Sequence, residues 1–170
     1  MKRKICFFLL LLGILLAAAG VFHFKKVTLL LLENLDDPRT IQIRISPREP
    51  FSIFYTHSIY NEPAIEEFRV EGEAVILIGV RTKSPAIMEY YGFESSKDFQ
   101  PLSQRLGAIY FRWGVGTGQG LIVRDRKIYL SEMGKKGERI RLRVKQVSLG
   151  SYLGSILAPA GEPGGGKEKG

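Results

Sequence analysis

The sequence predicts a mainly β fold: a sandwich or small barrel with one or two short helical turns, preceded by an N-terminal membrane or signal helix. Three observations carry this. Several short runs alternate apolar and polar residues with period two, which marks strands with one buried face. Proline, glycine and asparagine clusters separate the runs at short intervals. Before the first of them, Lys2, Arg3 and Lys4 lead into an unbroken apolar run from Ile5 to Phe22.

That opening segment, residues 1–24, is a signal peptide or a single membrane anchor. Its length approaches the roughly 20 residues that span a bilayer core, which favours a retained anchor. Ala17-Ala18-Ala19 offers the small residues that signal peptidase cleavage requires, so both outcomes stay open. The basic residues before the run place the body on the extracytoplasmic face of the cell membrane, or outside the cell if cleavage occurs. Cys6 lies at the start of the run, whereas a lipoprotein cysteine follows it, which argues against a lipid anchor.

The body, residues 25–157, is the expected β-domain. Thr40 to Ser46 alternates isoleucine with polar residues. Pro47 and Pro50 bracket a turn, and Phe51 to His57 begins a second strand rich in aromatic and branched residues. Ile65 to Val70 is a third. Glu71-Gly72-Glu73 makes a hairpin turn into Ala74 to Val80, apolar on both faces and therefore central. Val27 to Leu32 reads as an edge strand needing cover. Ser84 as cap, Pro85 at the first position and Gly92 past the end predict a short helix over Ala86 to Tyr91. A second helical turn is expected over Leu102 to Leu106.

Strands resume at Ala108 to Trp113. Gly120 to Val123 and Lys127 to Leu130 flank the short connection Arg124-Asp125-Arg126. In the last strand Arg139, Arg141, Arg143 and Lys145 share one face, and Ile140, Leu142 and Val144 the other. Residues 158–170, almost entirely Pro, Gly, Ala, Lys and Glu, have little to bury and predict a disordered tail.

Composition narrows the function. One cysteine, Cys6, leaves the body without a disulfide. A body of this size buries roughly two-thirds of its unfolded surface and manages without one. Setting Lys2, Arg3 and Lys4 aside from 25 basic residues leaves 22 against 17 acidic ones, a net +5 outside the membrane segment. That excess is too small to imply nucleic acid. The stretch Arg124 to Lys145, with nine basic and three acidic residues, reads as a solvated strand face or as a contact for anionic head groups or an acidic partner.

The densest polar cluster runs from Tyr55 to Phe68. His57, Ser58, Glu62, Pro63, Glu66 and Glu67 are the candidate partner or ligand site. Glu66 or Glu67, returning on an antiparallel partner strand, is expected to latch the His57 imidazole. His57 is the only histidine outside the N-terminal segment, which leaves no second histidine or cysteine for a triad or zinc site. Neighbouring His57 and Ser58 would point to opposite faces of a strand. No cofactor or metal is implied. Trp113 to Gly120 has glycine at alternate positions and matches neither phosphate-loop pattern. It reads as a glycine-rich strand edge, bulge or close backbone crossing. Gly150-Ser151-Tyr152-Leu153-Gly154 misses the hydrolase elbow spacing.

Phe51 to Ile59 followed by Glu62 to Val70 resembles an uncharacterised family of small exported prokaryotic proteins. The shared signature is aromatic-x-His-Ser-hydrophobic, then Pro, then Glu, matched here by His57, Ser58, Pro63 and Glu66 or Glu67. The resemblance covers roughly Ile41 to Ser84. It departs after Ser84, where Pro85-Ala86-Ile87-Met88-Glu89 replaces a Gly-Ala-Gly-Leu-Pro-like stretch. Such proteins often accompany TAXI-type TRAP transporters, which import organic acids with an extracytoplasmic solute-binding protein. The resemblance implies a non-catalytic accessory protein whose partners are the membrane and a transporter or its solute-binding protein. The alternatives are a metal-dependent or hydrolytic enzyme centred on His57 and Glu66, and a structural envelope protein.

Overall fold

A computed structural model describes residues 2–93, 97–112, 114 and 118–157. The chain is mainly β, with two antiparallel sheets, a few short helices and an apolar N-terminal helix. The tail from residue 158 and most of Trp113 to Gly118 fall outside the described residues.

Two compact units form: residues 2–27 with 147–157, and Thr28–Gln146. The first holds α1 (Lys2–Phe24) and α3 (Leu149–Leu157), which lie against each other. Among the described residues, α1 is the one helix long and apolar enough to cross a bilayer, properties that anchors and signal sequences share. α3 has no counterpart in the sequence reading. Gly150 and Gly154 lower its intrinsic helicity, but Ser148 caps it: the Ser148 hydroxyl accepts from the Ser151 N–H at 3.2 Å.

In the second unit the strands are β1 (Lys26–Asn34), β2 (Thr40–Arg44), β3 (Pro50–Thr56), β4 (Pro63–Glu71) and β5 (Ala74–Arg81). After the helix α2 (Pro85–Tyr90) come β6 (Phe99–Leu106), β7 (Ala108–Arg112), β8 (Gly120–Val123), β9 (Arg126–Tyr129) and β10 (Arg139–Ser148). One sheet runs β2-β1-β10-β7 and the other β6-β5-β4-β3-β8-β9. Alternate residues of both meet in one core that includes Leu30, Phe51, Phe68, Val75, Leu121 and Leu142.

The expected register of β10 is observed: Ile140, Leu142 and Val144 are buried. α2 is also as expected, with Ser84 accepting from the Ile87 N–H and Gly92 at φ +74° past its end. β5 is interior, as its two apolar faces require.

Three expectations are corrected. Leu102 to Leu106 is not a helical turn but part of β6. Pro101 lies in that strand at a register shift opposite Gly79. β6 is an edge strand, where a missing N–H costs no ladder bond. Val27 to Leu32 is not an edge: β1 lies between β2 and β10. Its Leu29 and Leu31 face away from the core yet are buried, opposite the long side chains of Arg44 and Gln42. Finally, Arg141 and Arg143 are not free solvated charges. The Nε of Arg141 reaches Glu33 at 2.9 Å, and Arg143 forks onto the same carboxylate at 2.8 and 2.7 Å.

Those guanidinium hydrogen bonds, Arg143 first, hold the Glu33 carboxyl below its ordinary range. Arg139 does the same for Asp36, and Arg124 for Glu49. A folded-state pKa below the unfolded one gives stability that is present above the unfolded value and lost as pH falls through the folded one. Urea midpoints should therefore hold from pH 7 to about 5 and fall from there toward pH 2. Glu33→Gln should flatten that fall; an unchanged acid limb in Glu33→Gln would show that the pair adds nothing.

Candidate functional site

Among the described residues, the inner face of the six-stranded sheet carries one acid. β3 and β4 pair with Phe51 opposite Phe68, Ile53 opposite Glu66 and Tyr55 opposite Ala64. Directly opposed residues share a face, so Glu66 faces inward with Ala64, Phe68 and Val70. Glu67 takes the other face and forks with Arg81 at 3.0 and 2.9 Å.

An inward carboxylate needs donors, and two tyrosines supply them. Tyr91, at the end of α2, donates to Glu66 Oε1 at 2.7 Å. Tyr55 lies 2.6 Å from the Tyr91 hydroxyl and 3.3 Å from the same Oε1. Each phenol has one proton. Tyr91 spends its proton on Glu66, and Tyr55 directs its own mainly to Tyr91. Burial, with the Glu66 charge beside it, pushes both hydroxyls far above their ordinary range. Both stay protonated and act as donors, never as bases. Oε2 of Glu66 has no protein donor among the described residues.

Tyr91→Phe removes the shortest bond to this carboxylate and should cost about 1–2 kcal/mol by urea titration, the range for a hydrogen bond to a charged group. Wild-type stability in that variant would mean the triad does not form in solution.

His57 ends the strand run and is 8% exposed. Its N–H donates to the Glu62 carbonyl, and its carbonyl accepts from the Asn61 N–H, both at 2.8 Å. Asn61 at φ +54° closes the loop. Nδ1 accepts weakly from the Ile59 N–H at 3.4 Å, so the ring's other nitrogen is the protonated one in neutral imidazole. The ring stacks on Tyr60 with centroids 5.0 Å apart and meets Tyr90 edge-on at 4.9 Å. The expected carboxylate latch is absent: Glu66 is held by the tyrosines and Glu67 lies on the opposite face with Arg81. Aromatic packing and the loop's backbone bonds orient His57 instead.

His57, Ser58 and Glu66 line one cleft of about 430 Å³ in the Thr28–Gln146 unit. That is within the usual range for ligand sites. Glu62, Pro63 and Glu67 do not line it; Glu62 and Pro63 shape the loop and the start of β4. The facing wall is β7, through Ile109, Tyr110, Phe111 and Arg112. Tyr90 on this cleft is 59% exposed, an aromatic side chain of the kind that interfaces favour. Among the described residues, no three His, Cys, Asp or Glu side chains converge.

Sequence reasoning singled out Glu66 but not its role, and it missed Tyr55, Tyr90 and Tyr91 as site residues. The parity of Ala64, Glu66, Phe68 and Val70 was the available signal for the inward acid. Nothing local announces the tyrosines. Comparisons with family models, with curated proteins and with solved structures find no match to this chain.

Proposed function

We propose that this is an extracytoplasmic, membrane-proximal binding protein without catalytic activity, an accessory to a TRAP-type organic-acid importer. The carrying observation is Glu66, pre-oriented by Tyr55 and Tyr91 in a cleft with the exposed Tyr90 ring at its rim. Fixed donors and acceptors beside apolar walls are what recognition needs. His57, held by packing without a carboxylate, lacks the oriented acid partner that a triad histidine uses. The apolar α1 supports the membrane location, with the body outside by the charge bias of Lys2, Arg3 and Lys4. A cleft whose inward charge is a carboxylate repels an organic anion. Its occupant in this reading is a surface of the transporter or of its solute-binding protein, not the transported solute.

The test is made on the full chain in its native cells. It should sediment with membranes after a high-salt wash, or appear outside the cell, and should be cleaved by protease added from outside. It should also co-isolate with the importer in mild detergent, and Glu66→Lys should abolish that. A body protected inside the cell, or co-isolation indifferent to Glu66→Lys in a folded variant, overturns the reading.

A further inference from the structure

The cleft runs along a free sheet edge. β7 ends the order β2-β1-β10-β7, so its outer side has no strand partner among the described residues. The phase of its hydrogen bonds follows from β10. The Arg139 carbonyl accepts from the Leu35 N–H at 2.8 Å and the Arg139 N–H donates to Asp36, both away from β7. The Leu149 N–H likewise donates to the Lys25 carbonyl at 2.8 Å. Odd-numbered residues of β10 therefore turn their backbone groups toward β1, and even-numbered ones toward β7. Ile140 and Leu142 oppose Phe111 and Ile109, which spend their N–H and C=O groups on them. Ala108, Tyr110 and Arg112 are left with theirs pointing outward.

The cleft fits this phase. Successive side chains of a strand point to opposite faces, yet the cleft touches four consecutive residues, 109 to 112. A space that meets both parities borders the strand's edge. There it meets the inward side chains of Ile109 and Phe111 and the backbone of Tyr110 and Arg112. The Arg112 side chain belongs to the outer face: it opposes Arg139, and its charge reaches Asp36. Among the described residues, Glu66 is thus left as the charged side chain facing into the cleft.

Both edges of the six-stranded sheet are guarded. β6 is interrupted by Pro101 and a register shift, and the four residues of β9 include Arg126 and Lys127. β7 reads Ala-Ile-Tyr-Phe-Arg, with no proline, and pairs with β10 without a register shift.

We propose that this cleft receives an extended peptide segment of a partner protein, which adds as a strand along β7 and sets a lysine or arginine side chain against Glu66. The inference rests on the binding role proposed above and names the chemistry of the partner. Strand addition draws affinity from main-chain bonds and selectivity from pockets for alternate side chains. Here the main-chain groups are those of Ala108, Tyr110 and Arg112. The selecting group is Oε2 of Glu66, still without a protein donor. The exposed ring of Tyr90 offers a π face to a passing cation. A small ammonium ion would satisfy Glu66 and leave the edge of β7 unpaired; a strand satisfies both.

The full chain in detergent micelles is titrated with a seven-residue peptide of alternating threonine and valine carrying one central lysine. Three controls have central norleucine, central glutamate, or N-methyl groups on alternate residues of the lysine peptide. Hydrogen exchange is followed at single amides. The lysine peptide should bind saturably and slow exchange at Tyr110 and Arg112 at least tenfold, with Ile109 and Phe111 already protected by β10. Norleucine and glutamate should weaken binding at least tenfold, and N-methylation should abolish protection. Glu66→Gln, which keeps an oxygen for the tyrosines, should equalise lysine and norleucine. Absence of saturable protection, or equal binding of the N-methylated peptide, overturns strand addition. Persisting lysine preference in Glu66→Gln overturns the role of Glu66. Protection of Tyr110 that rises with protein concentration in the absence of peptide assigns the edge to a second copy of this chain and overturns the peptide reading. Strand addition can fail in each of these ways while co-isolation with the importer survives, so the two readings fall separately.

Discussion

Leu142→Asp unfolds the β-domain, whereas Arg141→Gln, one residue away, leaves it folded with a small loss. Leu142 is fully buried in the core between the sheets, opposite Ile109. Truncation of a buried leucine alone costs about 2–5 kcal/mol. Aspartate adds an unpaired charge with no donor in reach, and the sum rivals the roughly 5–15 kcal/mol that holds a domain together. Arg141 lies on the opposite face, where its loss leaves Glu33 still held by Arg143. Arg141→Glu is a harsher change than its outward position implies, because it brings a second carboxylate to Glu33, and it should fall between the two. Far-UV circular dichroism and urea titration of the three variants give the order. Equal effects of Leu142→Asp and Arg141→Gln would show that β10 does not have this register.

How far the fold could be read beforehand depended on whether each segment's burial was set locally. β3 and β10 bury the residues that period two selects, β2 half-buries its two isoleucines, and β5, apolar on both faces, lies inside its sheet, because each packs against a layer the local pattern already implies. The helix α2 was readable from Ser84, Pro85 and Gly92, which act within a few residues. β1 was misplaced because its apolar run says only that both faces are buried. Its position between β2 and β10 is decided by strand order, which no local pattern encodes. β6 was misread because Pro101 breaks a helix and an interior strand alike but is tolerated on an edge. The site was readable in one residue. Glu66 stands at an inward parity, and an acid there must find donors. That the donors would be Tyr55 on the neighbouring strand and Tyr91 on α2 depends on a topology that brings residues 25 and 36 positions apart into contact. His57 looked like a group to be held by an acid. The aromatic residues around it, also visible in the sequence, proved the stronger partners.

Gly120→Ala should destabilise the domain by about 2–3 kcal/mol, a large cost for one methyl group. Gly120 in β8 lies between Phe54 of β3 and Tyr129 of β9, all three on one face of the sheet. The Phe54 ring crosses the glycine to meet Tyr129 edge-on at 5.5 Å, and the Lys127 ammonium sits 4.2 Å from the Phe54 ring centre. A Cβ at residue 120 would collide with the Phe54 ring and with the Ile128 carbonyl oxygen. The ring can rotate away, losing its contacts with Tyr129 and Lys127. The carbonyl belongs to the backbone of β9, so the hairpin must shift as well. Overpacking of this kind costs about 1–3 kcal/mol. The glycine is therefore present for close approach rather than for turn geometry, one of the readings its glycine-rich surroundings allowed. Removing the ring should separate the two collisions. In Phe54→Ala the added methyl still meets the Ile128 carbonyl but no longer the ring. The double variant should therefore be more stable than the sum of the single losses by about 1 kcal/mol in a urea double-mutant cycle. Strict additivity would mean that the ring gives way without cost and that the backbone of β9 alone sets the requirement for glycine.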